Sequence, residues 1–409
     1  MNFHEKMAEY AELAVRVGVN IQKGQYLSIG TTTETLEFTR LVVEKAYEAG
    51  AGYVHVQFTD EKINRAFYEL APEDQMSNIP SWIVAQRDYL VDQKGASLWI
   101  DAEDPDALTG VSVKRLSERS KAFGKALEKF RQATMTDKIA WSIVAIPSPK
   151  WAAKVFPNLP EEEQVPALWD AIFKAVRIGE GTAVEQWKAH VDALESRAAM
   201  LNEKRFAKLV YRAPGTDLSI ELPKNHIWMS GASRTPDNTP FIANMPTEEV
   251  YTAPLKNGVN GVVRNTKPLA YQGNIIDGFE LTFENGKIVK AHAAIGDDIL
   301  QEMISNDEGS AYLGEIALVP HKSPISDSNI LFFNTLFDEN ASNHLAIGEA
   351  YPTCIEGGRD MNEEQIKAAG LNVSITHEDF MIGSEHMDID GIQEDGTEVA
   401  IFREGNWAF

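Results

Sequence analysis

Apolar residues recur with two different textures along the chain, and the texture changes near residue 207. In the first half, short β-branched or aromatic runs alternate with stretches of helical spacing. Residues 26–30 (YLSIG) predict a strand. Residues 36–49 carry helical spacing and end at Gly50. Thr33 or Thr35 can cap that helix, because a hydroxyl accepts hydrogen bonds from free amides at a helix start. Residues 53–58 predict the next strand and 62–70 the next helix. Residues 97–101 and 138–146 add two apolar runs, with helical patterns at 113–134, 165–176 and 182–205. This alternation implies parallel crossovers and an α/β N-terminal domain with an open, largely parallel sheet.

Beyond residue 207, strands predominate. AKLVYRAPGTDLSIELP reads as two strands around a turn. Residues 279–294 place Asn285-Gly286 between alternating runs, a strong hairpin signal. VAIFREG, after the turn at Asp395-Gly396, reads as another strand. Helices are expected at 297–305, near 340–346 and at 362–369. The expected division is an α/β domain over 1–206 and a strand-rich α+β domain over 207–409. A length of 409 residues agrees with two domains.

Charge narrows the classes of partner. With 38 basic and 61 acidic side chains the formal net charge is −23. A field of that sign repels phosphates, so nucleic acid and anionic membranes are not expected partners, whereas metal ions are attracted. The single cysteine, Cys354, excludes an intramolecular disulfide framework and a cysteine-based zinc finger. The start MNFHEKMAEY does not read as a secretory signal, and no apolar run approaches a membrane span. The expected location is cytoplasmic.

The common nucleotide and nucleophile signatures are missing: no G-x-x-x-x-G-K-[ST], no G-x-G-x-x-G after a strand, no G-x-S-x-G. His4-Glu5 and His377-Glu378 lack the second histidine of H-E-x-x-H. What remains is a set of histidines and carboxylates in the second half. In VSITHEDFMIG, His377 and Asp379 are two residues apart in a β-like run, so their side chains share a face. One nitrogen and one oxygen donor on a strand suit zinc, cobalt or manganese; the pair also reads as two polar residues on a solvated face. His344, in LFDENASNHLAIGEAYP, reads as a surface histidine on a short helix capped by Asp338 or Asn340. Glu248-Glu249, in NMPTEEVYTAP, read as solvated carboxylates after a turn. Glu315, in AYLGEIALVP, sits in an apolar run. It either faces outward, the simpler reading, or needs a cation, since burying a carboxylate unpaired is costly. Cys354 reads as a small buried residue, and Trp228 and Trp407 as core packing rather than the lining of a peptide cavity.

Taken together, NMPTEEVYTAP, GEIALVP, LFDENASNHLAIGEAYP and VSITHEDFMIG resemble the signature blocks of the aminopeptidase T and aminopeptidase S family of metallopeptidases. GTDLSIELPKNHIWMSG and, in the first half, AVRVGVNIQKGQYLSI share the likeness, so it covers essentially the whole chain. The resemblance implies two divalent ions per chain, zinc or cobalt, with manganese as a further candidate. It implies Glu249, His344, His377 and Asp379 as ligands and Glu315 as the carboxylate between the ions. Glu339 takes the place of a further ligand or of a carboxylate behind the ligands. Tyr351, in EAYP, takes the place of a catalytic tyrosine beside the metals. Asn343 departs from the small residue or cysteine expected before the histidine, at a position that is not a ligand. Three carboxylates and two neutral imidazoles nearly balance two dications, and a water between two such ions ionises near neutral pH.

The function implied is a metal-dependent aminopeptidase that releases N-terminal residues from short peptides. The family resemblance also implies an N-terminal α/β domain joined to a metal-binding C-terminal domain, and homodimers whose sites face an enclosed interior. The alternatives are another dinuclear metallohydrolase, acting on amides or phosphate esters, and a metal-free peptide-binding protein of the same fold. Net charge disfavours the phosphate case, and the intact ligand set argues against the metal-free one.

Overall fold

The four apolar runs of the first half pair in parallel in the computed structural model, which describes residues 1–102, 104–179, 182–271 and 273–409. Strands Tyr26–Thr32, Tyr53–Thr59, Ala96–Asp101 and Trp141–Ala145 lie in the spatial order second, first, third, fourth. A two-residue strand, Asn244–Met245, pairs in parallel beside the fourth. It arrives from much later in the chain and is too short to have a periodicity, so no pattern announces it. Six of the seven positions of Tyr26–Thr32 are buried, as expected of a central parallel strand covered on both faces.

The helical stretches form close to their predicted spans, with informative differences. The single pattern over 113–134 is two helices, Val113–Ala126 and Glu128–Met135. The opening segment is a helix, Phe3–Leu13, started by a capping box: Asn2 Oδ1 accepts from Glu5 N at 2.9 Å, and Glu5 Oε2 accepts from Asn2 N at 2.8 Å. Compactness divides the chain into Met1–Val191 with Ala232–Pro246, and Asp192–Gly231 with Thr247–Phe409. The first division falls inside the long helix Ala183–Lys204. Among the described residues no helix is long and apolar enough to cross a membrane.

The second unit is built on two antiparallel sheets. One has eight strands, from Lys287–His292 at one edge to Asn406–Trp407 at the other. The other has five, in the order His377–Met381, His344–Gly348, Leu313–Leu318, Val250–Thr252, Met229–Ser230. One apolar core joins residues of both sheets: Leu218, Leu281 and Phe283 from the first, Ile316, Leu345 and Phe380 from the second. Trp228 is buried in that core, while Cys354 packs with Ala350, Ile355 and Leu371 in a smaller one. The expected helix near 340–346 does not form. A short helix, Thr335–Asp338, and one tight turn, Glu339–Ala341, are followed instead by the strand His344–Gly348. All five residues of that strand are buried at an inner position of the sheet, and tertiary pairing overrides the helical spacing.

The hairpin at Asn285-Gly286 forms between Glu280–Glu284 and Lys287–His292, with both turn residues at positive φ (49° and 84°). A Cβ on Gly286 would lie 1.7 Å from Lys256 O. Gly286→Ala should therefore lower the unfolding free energy by about 2 kcal/mol or more, the strained conformation alone costing roughly 1–3 kcal/mol. Denaturant titration measures this, and an unchanged midpoint would refute it.

Candidate metal centre

Strand alternation sorts the five-stranded sheet into an apolar face and a polar one. Ile316, Leu318, Leu345, Ile347 and Phe380 belong to the core between the sheets. The intervening positions Glu315, His344, His377 and Asp379 therefore share the opposite face. Register then decides who meets whom. Glu315 pairs with Ala346, and Ala346 with Asp379, so two carboxylates flank a small residue across three strands. His344 is opposite Ala317, and His377 is opposite Gly348. Glu249 immediately precedes Val250, which pairs with Leu318 and is itself a core residue. Glu249 thereby projects from the polar side.

The donor atoms converge in two groups, Glu249–Glu315–His344 and Glu315–His377–Asp379, each within 4.8 Å. Glu315 is common to both. Its Oε1 lies 3.8 Å from His344 Nε2, and its Oε2 lies 3.6 Å from His377 Nε2. His344 Nε2 is also 3.2 Å from Glu249 Oε2 and 4.0 Å from Asp379 Oδ1, which in turn is 3.8 Å from His377 Nε2. Ligands about 2.0–2.2 Å from a zinc-like ion stand roughly 3.3–3.6 Å apart at tetrahedral angles; the 3.6 Å spacing lies in that range, and those of 3.2, 3.8, 3.8 and 4.0 Å lie close to it. Asp379 Oδ1 is buried with no hydrogen-bond partner, as expected of an oxygen reserved for one. The donor set therefore fits a divalent metal.

Burial of these groups reverses three readings made from sequence. Glu315 is 5% exposed, not outward-facing; Glu249 is 7% exposed, not solvated; His344 is 1% exposed, not a surface histidine. Glu248 is buried too but belongs to neither donor group. Glu339 is buried and senses the charges of Asp379, Glu249 and Glu315, though it lies outside both tight groups. The Tyr351 ring packs edge-on against His377, with centroids 5.1 Å apart.

The electrostatics follow from charge crowded out of water. Burial, reinforced by Asp379 and Glu249, pushes Glu315 up to about 7, against the opposing pull of the nearby His344 imidazole. Burial and the neighbouring carboxylates hold Glu339 well above the usual range. Burial alone would lower His344, but the adjacent Glu249 and Glu315 carboxylates and the field of Asp379 override this and raise it well above an ordinary imidazole. His377 is also raised: Asp379 and Glu315 outweigh its burial. The Tyr351 hydroxyl is pushed far up by burial and then by Glu315, Asp379, Glu339 and Glu249.

Several backbone and amide groups orient the donors and left no sign in the sequence. His377 Nδ1 donates to Glu349 O at 2.7 Å, and His344 Nδ1 to Ser342 O at 3.3 Å, so both rings turn Nε2 towards the carboxylates. Asn343 Oδ1 accepts from Val319 N at 2.9 Å, while Asn343 O accepts from Ile382 N and Gly383 N. That residue clamps the end of the Leu313–Leu318 strand and the end of the His377–Met381 strand at the base of His344. A cleft of about 1190 Å³ in the same unit, lined in part by Lys204, Lys208, Lys224 and His226, contains none of the clustered donors.

A buried carboxylate and imidazole cluster on a two-sheet α+β unit fits a metal-dependent hydrolase. The family described as thermophilic metalloprotease (M29) matches residues 3–407, and the chain belongs to it. It is 51% identical over 408 residues to aminopeptidase AmpS of Bacillus subtilis (strain 168), covering 100% of each chain. It is 41% identical to aminopeptidase T of Thermus aquaticus, covering 99% of each. The solved structure of wild-type AmpT from Thermus thermophilus superposes with a TM-score of 0.93 at 40% identity, covering 100% of both chains. The fold of an N-terminal parallel-sheet domain followed by a strand-rich part is thus shared with a solved relative.

Without an ion, the cluster holds protons that a metal must displace, since ligation needs neutral imidazole and ionised carboxylate. Glu315, His344 and His377 are all held above their ordinary ranges, so zinc affinity should rise with pH through 7, by about tenfold per unit for each proton displaced. Calorimetry in buffers of different ionisation enthalpy should detect at least one proton released per chain at pH 7. Equal affinity at pH 6 and pH 8 would contradict this.

Proposed function

We propose that this metallo-aminopeptidase releases N-terminal residues from short peptides with the help of two divalent ions, zinc or cobalt, held by Glu249, Glu315, Glu339, His344, His377 and Asp379. The observation that carries the reading is Glu315, whose two oxygens face different imidazoles, each in its own donor group. A carboxylate so placed would supply a donor to each of two neighbouring positions. When bound, such ions supply Lewis acidity that ionises a water near neutral pH, polarises the scissile carbonyl and accepts an uncharged α-amine.

The chain's own residues do the rest. Glu315 holds the two halves of the site in register, since it is fixed in a fully buried strand. Tyr351, kept protonated by burial and by the surrounding carboxylates, presents a hydroxyl that donates to the oxyanion as the carbonyl becomes tetrahedral. The hydrogen bonds from His377 to Glu349 O and from His344 to Ser342 O keep each Nε2 directed into the cluster. Glu339 adds a carboxyl whose proton is tightly held while the cluster lacks a cation. The likeness to named aminopeptidases supports a requirement for a free N-terminus. The resemblance to the aminopeptidase T and S family supports a homodimer with an enclosed interior, acting on short peptides in the cytoplasm.

Thorough chelation should abolish amino-acid release from short peptides, and zinc or cobalt should restore it. Activity that survives chelation in metal-free protein would reject the reading. N-acetylated peptides and a phosphate ester should be turned over poorly beside the same free peptide.

The residue roles separate in variants. His377→Ala and Glu315→Gln should lose metal stoichiometry together with activity. Tyr351→Phe should keep its metal and lose roughly 10²–10³ in kcat, the usual worth of one oxyanion donor. Elemental analysis alongside kinetics distinguishes them; wild-type kcat in Tyr351→Phe would remove the tyrosine from the mechanism.

A further inference from the structure

We infer that Asn340 is a positioning residue of the metal centre, which ties the segment carrying Glu249 to the turn carrying Glu339. The inference rests on the reading of the cluster as a metal centre. Asn340 is completely buried. Its Oδ1 accepts from Glu248 N at 2.7 Å, the amide one residue before Glu249. Its Nδ2 donates to Leu336 O at 3.1 Å and to Glu339 Oε1 at 3.2 Å. Its own carbonyl accepts from Ser323 Oγ at 3.2 Å.

The geometry explains why these segments need such a tie. Glu315, His344, His377 and Asp379 stand on strands whose ladders fix them. Residues 247–249 precede the short strand Val250–Thr252, and Glu339 lies on the single tight turn Glu339–Ala341. Both carboxylates are therefore outside the regular pairing that holds the other donors. A primary amide supplies an acceptor and two donors from one planar group. Asp would keep the acceptor for Glu248 N but lose both donors and repel Glu339. Ala would lose all three.

The test compares wild type, Asn340→Ala, Asn340→Asp and a control, Asn265→Ala, as full-length protein stripped of metal. Asn265 is a matched buried amide: Oδ1 accepts from Phe279 N at 2.7 Å, and Nδ2 donates to Lys267 O at 2.8 Å and to Asp277 Oδ1 at 3.1 Å. It engages none of the ligand-bearing segments. The readouts are zinc affinity by chelator competition, thermal midpoint without metal, and the visible absorption spectrum with cobalt.

Both Asn340 variants should bind zinc about 10–100-fold more weakly, the range typical of groups that orient metal ligands, with an altered cobalt spectrum. Asn265→Ala should lose thermal stability and keep its zinc affinity within about threefold. Wild-type affinity and cobalt spectrum in Asn340→Asp and Asn340→Ala, with zinc bound normally by wild type, would overturn this inference alone. No zinc binding by wild type would sink the metal-centre reading and this one with it. If Asn340→Ala does not fold, Asn340→Asp decides; if neither folds, the residue belongs to the fold and the inference is overturned.

Discussion

Four carboxylates, Glu249, Glu315, Glu339 and Asp379, are buried beside two imidazoles in a protein that already carries a large negative charge. Among the described residues, no lysine or arginine pairs with them; the ion-pair partners of Glu249, Glu315 and Asp379 are His344 and His377. Buried like charges of this density persist only if protons or cations neutralise them. The raised carboxyls of Glu315 and Glu339, and the raised imidazoles, are the proton-filled answer to that demand. A divalent metal would be the other answer, and the same donors with their protons removed are the groups placed to hold it. The centre is thus one electrostatic unit, and removing a single donor alters the charge balance of all the others.

Such crowding would push an isolated peptide apart. Here it is held by apolar packing on the other side of the same strands. Ile316, Leu318, Leu345, Ile347 and Phe380 lock the five-stranded sheet to the eight-stranded one, and their burial offsets the cost of the polar face. The backing is rigid because strand residues alternate: Val250, Ile316, Leu345 and Phe380, next in sequence to Glu249, Glu315, His344 and Asp379, are anchors in the core. Ala346, between Glu315 and Asp379, is small enough to leave the space between those carboxylates to a ligand. Positions off the ladders, Glu249 and Glu339, depend instead on specific hydrogen bonds.

Much of the architecture was legible as local pattern. The alternation in the first half marked four parallel strands, and Asn285-Gly286 marked its hairpin, because these signals arise from residues adjacent in sequence. What failed was one-dimensional in origin. HLAIG has the spacing of a helix end, and only its inner place in a sheet makes it a strand. Asn244–Met245 is a strand solely because the neighbouring edge accepts it. Glu315 looked outward-facing because a carboxylate in a strand usually is; its local pattern, apart from the family resemblance, does not show that two histidines and two more acids gather around it.

The sequence by itself determined the chemistry on offer: which residues can ligate, which strands alternate, and, through four ordered blocks, which family the chain resembles. Tertiary structure decided what those residues do to one another. Register brought Glu315, His344, His377 and Asp379 onto one buried face. Burial then converted ordinary acids and imidazoles into a cluster that requires a counter-charge. The reason is physical: proximity and desolvation are properties of space, and donors separated by up to 130 residues in Glu249 and Asp379 acquire them only when the strands between are paired.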